Sequence, residues 1–165
     1  MSKQRCLFPL AVLLMSSTAC SSSSKLNFQK DATLSFHDAI YLETSAETSA
    51  NASLGDLDGD GDLDIVLAKG RHWPLLDIIL LNDGSGGFVE RHHVSDSAGR
   101  TYTAALADLD NDGDLDLVLG NDRPDLKLIY HNDGSGHFTT TGTFGDATWP
   151  TRNITVIDLT GDERP

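Results

Sequence analysis

Aspartate at alternate positions carries the most chemistry in this sequence. Asp56-Leu57-Asp58-Gly59-Asp60-Gly61-Asp62-Leu63-Asp64 returns as Asp108-Leu109-Asp110-Asn111-Asp112-Gly113-Asp114-Leu115-Asp116. Alternation turns successive carboxylates toward one centre, and a Gly at the sixth position allows a sharp bend without a Cβ clash. Such a loop suits a hard cation bound through oxygen. In the first loop the side-chain donors are Asp56, Asp58, Asp60 and Asp64, with the backbone carbonyl of Asp62 between them. In the second they are Asp108, Asp110, Asp112 and Asp116, with the carbonyl of Asp114. Several carboxylates plus a carbonyl favour Ca²⁺ over Mg²⁺, which keeps its waters and demands a tight octahedron. No Cys or His lies in the pattern, which disfavours Zn²⁺. A weaker third copy, Asp158-Leu159-Thr160-Gly161-Asp162-Glu163-Arg164-Pro165, offers Asp158, Thr160 and Asp162. It has Thr160 at the second ligand position and Glu163 where Gly is expected.

Two alternatives fail on spacing. An EF-hand needs Glu at the twelfth position, which Leu67 and Leu119 occupy here. Nine-residue calcium repeats fail because the period is far longer. One acidic loop could be a solvated surface feature, but two near-identical loops at repeat spacing favour ion binding. Catalytic constellations are absent from the pattern. His37, His72, His92, His93, His131 and His137 share no ligand spacing and read as surface or strand-packing residues. There is no Gly-x-Ser-x-Gly, no phosphate loop and no Cys/His pair, and ionised metal ligands make poor proton donors. The expectation is a noncatalytic protein. Trp73-Pro74 and Trp149-Pro150 fall in expected loops, where an aromatic side chain either covers a local cluster or stacks on a ligand.

The elements that must hold these loops follow from the repeat. The acidic motifs start at 56, 108 and 158, spaced 52 and 50 residues apart. Asn82-Asp83-Gly84-Ser85-Gly86-Gly87-Phe88 recurs as Asn132-Asp133-Gly134-Ser135-Gly136-His137-Phe138, and a Phe precedes each acidic motif at 36, 88 and 138. Ile65–Ala68 and Leu117–Leu119 are brief apolar runs, and Asp77–Leu81 and Leu126–Tyr130 are further runs of strand length. The Asn-Asp-Gly-Ser-Gly segments supply hairpin turns. Before each acidic loop, Ala52/Leu54, Ala104/Leu106 and Ile154/Val156 alternate at period two. No long helical period follows residue 25. Four short strands per repeat of about 50 residues describe a blade, so the expected fold class is all-β, a partial β-propeller.

Composition and the N-terminus place the chain. It has 165 residues, 39% hydrophobic and 22% charged, with a formal net charge of −13. An acidic chain of this kind has no overall basic surface for nucleic acid, and an acidic partner is expected to be repelled. Lys3 and Arg5 precede the apolar run Cys6–Met15, which is too short to cross roughly 30 Å of hydrocarbon but fits a secretory signal. Residues 1–19 therefore read as a signal peptide. Cys20 with Ser21–Ser24 reads as a lipid-bearing Cys and tether spanning residues 20–32, although Ser17 stands where lipoprotein signals usually have Leu. Plain secretion after cleavage at Ala19 is the alternative. Membrane association is expected through that lipid alone, at the outer membrane or cell surface. Beyond Cys20 there is no further Cys, so no intrachain disulfide staples the mature region.

Residues 33–165 resemble the FG-GAP/VCBS-type repeats of bacterial surface proteins and, more distantly, the integrin α-chain propeller. The Leu54–Asp64 segment and the Asn-Asp-Gly-Ser-Gly turns carry the resemblance. It implies propeller blades with Ca²⁺ in a loop between strands, used in adhesion or in binding a protein or carbohydrate ligand. Gly-Ala-Pro is absent, and Phe-Gly occurs at Phe144-Gly145 only. The second reading is a fragment of a secreted carbohydrate-active enzyme, a polysaccharide lyase or hydrolase, built on the same repeats. Two full units and one partial unit do not close a ring, so further blades in a longer chain, or self-association, are expected to complete it. Thr155-Val156-Ile157 is expected at an exposed apolar edge.

Overall fold

The computed structural model describes residues 42–43, 46–162 and 165, without the side chains of residues 89–91. The expected signal over residues 1–19, Cys20, the expected tether and Phe36 lie outside the described residues, as does Glu163. Among the described residues, no helix is long and apolar enough to cross a membrane. Two four-stranded antiparallel sheets form instead. The first runs in the order β1 (Ser49–Gly55), β2 (Asp64–Lys69), β3 (Ile78–Asn82) and β4 (Phe88–His93). The second repeats that order with β5 (Thr101–Ala107), β6 (Asp116–Asn121), β7 (Lys127–Asn132) and β8 (Phe138–Phe144). The expected four strands per repeat are therefore present twice. The apolar runs expected from Asp77 and Leu126 begin their strands one residue later, at Ile78 and Lys127.

Local chemistry sets the boundaries. β2 is rich in Ile, Val and Leu and is buried along its whole length, as suits a strand with both faces covered. The Asn-Asp-Gly-Ser-Gly segments close the β3–β4 and β7–β8 hairpins. Asp83 N–H donates to the Gly87 carbonyl at 2.9 Å, and Asp133 N–H to the His137 carbonyl at 3.1 Å. Gly84 and Gly134 there have φ of 76° and 77°, a left-handed backbone that favours glycine. The acidic loops join β1 to β2 and β5 to β6.

Side-chain alternation gives each sheet two apolar faces, and the repeat makes one face fit the next sheet. Val66, Ala68, Ile79 and Leu81 of the first sheet share a core with Ala104, Leu117, Leu119 and Tyr130 of the second, closed by Leu57 and Val94. The opposite face of the first sheet, Ile65, Leu67, Ile78 and Leu80, packs with Leu42 and Phe88. Ile65 and Leu67 occupy the same repeat positions as Leu117 and Leu119. Each repeat thus offers one face to its predecessor and the other to its successor. At the seam β1 lies along β5, where Ser53 Oγ donates to the Ala104 carbonyl at 2.7 Å.

The third unit departs from expectation. Residues 151–158 form no strand, although Ile154/Val156 alternate as β1 and β5 do. β1 and β5 each take their ladder from the strand following an acidic loop. Residues 151–158 have no such partner among the described residues, and alternation without a ladder does not make a strand. Thr151 N–H donates to the Asn121 carbonyl at 3.2 Å, and Ile154 packs so close to Gly120 that a Cβ there would meet it at 2.9 Å. Ile157 is exposed, as expected of Thr155-Val156-Ile157.

Candidate metal centre

The first acidic loop is organised by its own amides. Asp56 accepts from the N–H groups of Gly59 at 2.8 Å and Gly61 at 3.0 Å, folding the loop back over its first carboxylate. Asp58 accepts from Asp60 N–H at 3.3 Å, and Asp60 from Asp62 N–H at 2.9 Å. Asp64, fully buried at the start of β2, accepts from Leu57 N–H at 2.7 Å and Asn82 N–H at 2.8 Å. It therefore ties both ends of the loop to the hairpin. Oxygens of Asp56, Asp58 and Asp64 lie within 4.8 Å of one another. Asp60 stays exposed at the rim. The Asp62 side chain turns outward: a Cβ on Gly84 would sit 2.7 Å from its Oδ2.

The second loop repeats the plan. Asp108 accepts from Asn111 N–H at 2.6 Å and Gly113 N–H at 3.0 Å, and Asp112 from Asp114 N–H at 3.0 Å. Buried Asp116 accepts from Leu109 N–H at 2.8 Å and Asn132 N–H at 2.9 Å. Asn111 takes the place of Gly59 and keeps its left-handed backbone, with φ of 67°. Asp114 turns over Gly134 as Asp62 does over Gly84. Oxygens of Asp108, Asp110 and Asp112 cluster within 4.8 Å. A second cluster joins Asp110 and Asp116 to His131, whose Nδ1 lies 3.2 Å from Asp110. Spacing did not find His131, because it arrives from β7, and its repeat counterpart Leu81 carries no polar group. In the third copy, Thr160 and Gly161 N–H groups donate to Asp158 at 2.9 and 2.7 Å, and Thr160 Oγ1 to Asp162 at 2.7 Å.

The electrostatics are those of crowded carboxylates. Burial, then the charges of Asp60, Asp64 and Asp56, hold the Asp58 carboxyl above its ordinary range, against the Asp60 amide. Partial desolvation and the charges of Asp112, Asp108, Asp116 and Asp110 raise Asp114 likewise. Asp83 and Asp133 in the hairpins go the other way, lowered first by the hydroxyls of Ser85 and Ser135 and by neighbouring amides. The acidic clusters could therefore hold a metal ion, and a cation there would relieve repulsion the bare loops retain.

Two other features bear on the sequence reading. Trp73 and Trp149 lie in loops, 72% and 63% exposed, and so cover no cluster. His92 stacks on His137 with ring centroids 5.2 Å apart, a packing role between sheets.

Residues 69–119 and 108–165 each match the FG-GAP-like repeat. No curated protein and no solved structure matches the chain. The second acidic loop falls in both matched spans and the third in the latter one. The first loop precedes them but repeats the second in sequence, hydrogen bonding and strand context. With more than half of its length matched and two sheets of the same strand order, the chain belongs to the FG-GAP-like repeat family.

Proposed function

We propose that the chain is an exported, noncatalytic repeat module of propeller type, stabilised by Ca²⁺ in its acidic loops and used to bind a ligand outside the cell. One observation carries the reading: each of two repeats converges three aspartate oxygen donors within 4.8 Å. The donors fit the ion, since hard oxygen ligands in an adaptable loop suit Ca²⁺. Asp56, Asp58, Asp60 and Asp64 with the carbonyl of Asp62 would hold one ion. Asp108, Asp110, Asp112 and Asp116 with the carbonyl of Asp114 would hold another. The two oxygens of Asp64 and Asp116 each retain a lone pair beside the amide they accept. Bound Ca²⁺ supplies positive charge that neutralises the cluster. FG-GAP-like repeats are typical of extracellular or surface proteins, which agrees with a signal over residues 1–19 and a lipid on Cys20.

Calorimetry with Ca²⁺ alone tests the reading. With dissociation constants near 10⁻⁴–10⁻³ M, as in extracellular modules, millimolar Ca²⁺ adds on the order of 1 kcal/mol per site. Asp60→Ala and Asp112→Ala should each remove about one bound ion, whereas His131→Gln should leave the stoichiometry unchanged. A titration without heat, with melting indifferent to chelator, overturns it. For the anchor, palmitate labelling should be lost in Cys20→Ser.

A further inference from the structure

The end of the sheets opposite the acidic loops gathers arginines, interspersed with aspartates of the same connections. The arginines whose side chains the structure describes, Arg71, Arg100, Arg123 and Arg152, all lie there, on the β2–β3, β4–β5 and β6–β7 connections and after β8. His72, Arg100, Asp122, Arg123, Pro150 and Arg152 line a cleft of about 330 Å³. We propose that this cleft binds a carboxylated saccharide, a uronic-acid chain, with Arg123 and Arg152 taking the carboxylate. The proposal rests on the ligand-binding reading above and names its ligand class.

The cleft is held in shape from several sides. Asp122 N–H donates to the Arg100 carbonyl at 2.8 Å, and Arg71 N–H to the Thr101 carbonyl at 3.2 Å, stitching neighbouring connections together. Gly70 fits so tightly that a Cβ would lie 2.3 Å from the Trp73 carbonyl. Buried Lys127 donates Nζ to the carbonyls of Asp146 and Trp149, fixing the segment that leads into Pro150. The Arg152 guanidinium lies 4.3 Å from the Tyr102 ring centroid, a stacking that orients its fork.

Charge and shape select the ligand. Arg100 is engaged by Asp125 at 3.0 and 3.1 Å. Asp122 lies 3.7 Å from Arg152 and 3.6 Å from His72, a loose arrangement. Arg123 is exposed and makes no ion pair among the described residues. Three guanidiniums, Arg100, Arg123 and Arg152, against the carboxylates of Asp122 and Asp125 leave one positive charge over, and Asp122 opposes a doubly charged phosphate more than a single carboxylate. Guanidinium forks match carboxylates in two parallel hydrogen bonds. Exposed Trp73 and Trp149 adjoin the lining residues His72 and Pro150 in sequence, and an indole face suits the apolar face of a sugar ring. Pro150 alone among the lining residues is apolar, which leaves no pocket for apolar peptide side chains. The acidic loops lie a strand length away, roughly 20 Å, beyond a Debye length of about 8 Å at physiological ionic strength.

The test titrates the full chain, in saturating Ca²⁺ at low ionic strength, with trigalacturonate, its methyl ester and a glutamate tripeptide. Trigalacturonate should bind, and the ester should not. Arg123→Gln and Arg152→Gln should each weaken binding roughly tenfold. Trp149→Ala should weaken it several-fold. Arg123→Gln touches no ion pair, so loss of fold does not confound it. Equal binding of the ester or the tripeptide, or affinity indifferent to both arginine variants, overturns the proposal. Ca²⁺ heat without trigalacturonate heat sinks this proposal alone. Trigalacturonate binding that depends on Arg123 and Arg152 without Ca²⁺ heat sinks only the calcium reading.

Discussion

Asp60 and Asp64 belong to one nine-residue motif, yet their surroundings give them separable roles. Asp64 is fully buried and satisfies two backbone amides, so truncating it strands those donors as well as removing a ligand. In chelator, Asp64→Ala should cost on the order of 2 kcal/mol, whereas exposed Asp60→Ala should cost little. Denaturant melts with and without Ca²⁺ separate the two, and equal losses in chelator would contradict the division. Asp77 is a different case. Burial pushes its carboxyl up to about 6, against hydrogen bonds from Lys69 N–H at 2.7 Å and Thr101 Oγ1 at 2.7 Å. Its ordinary value in the unfolded chain is near 3.8. Between these two pH values the folded chain holds a proton that the unfolded chain has lost. Stability from Asp77 is therefore present at low pH and is lost as pH rises from about 4 through about 6, by up to roughly 3 kcal/mol. Asp77→Asn keeps an acceptor for Lys69 and should reduce this slope in chelated denaturant series at pH 4, 6 and 8. An unchanged slope assigns it to other carboxylates, with Asp58 and Asp114 next in line. Asp77 was invisible in the sequence as anything but a strand end, because what distinguishes it is a neighbour, Thr101, from the other sheet.

Hairpins and acidic loops are local, and local chemistry was enough to read them. Asn-Asp-Gly-Ser-Gly placed both turns, and alternating aspartates placed both loops, because each uses its own amides to fold. Gly84 shows how the two elements depend on each other. It has positive φ, and its bare Cα accommodates the outward-turned Asp62 carboxylate. Gly86, also at positive φ, has nothing within 4 Å of a Cβ. Gly86→Ala should therefore cost about 1 kcal/mol, the backbone term alone. Gly84→Ala should cost more, and should also weaken Ca²⁺ binding by displacing Asp62 from its outward position. Calorimetry and melting of the pair test this, and identical effects would refute the contact. Elements that need a distant partner were less legible. Residues 151–158 carry the same alternation as β1 and β5 but form no ladder. His131 came to Asp110 only through the pairing of β7 with β6. Net charge describes no single surface: within a chain of −13, Arg100, Arg123 and Arg152 gather around one cleft, beside Asp122 and Asp125.

Across the whole molecule, the first acidic loop is where one sheet meets the other. Leu57, second in the loop, is 1% exposed and packs in the core shared by both sheets. Its carbonyl accepts from Asn132 Nδ2 at 2.8 Å, and Asn132 N–H in turn closes the second loop through Asp116. The same loop holds Asp56, Asp58 and Asp64 together, so an ion bound there stiffens a segment both sheets use. The corresponding residue of the second loop, Leu109, lies instead in a groove with Val118, Ile129, Ile157 and Leu159. Two consequences follow. Leu57→Ala should cost roughly 2–4 kcal/mol, since it opens a cavity between sheets rather than at a surface. Ca²⁺ should also protect amides of β5–β7, not merely those flanking the first loop. Hydrogen exchange can resolve this strand by strand. In wild type, Ca²⁺ should slow exchange in both sheets. In Asp60→Ala, with the second loop intact, protection gained on adding Ca²⁺ should persist around β6 and shrink in β2 and β3. In Leu57→Ala, ion binding at the first loop should survive while its effect on the second sheet is lost. Protection confined to the first sheet in wild type would show that the shared core does not couple the repeats, whatever the loops bind.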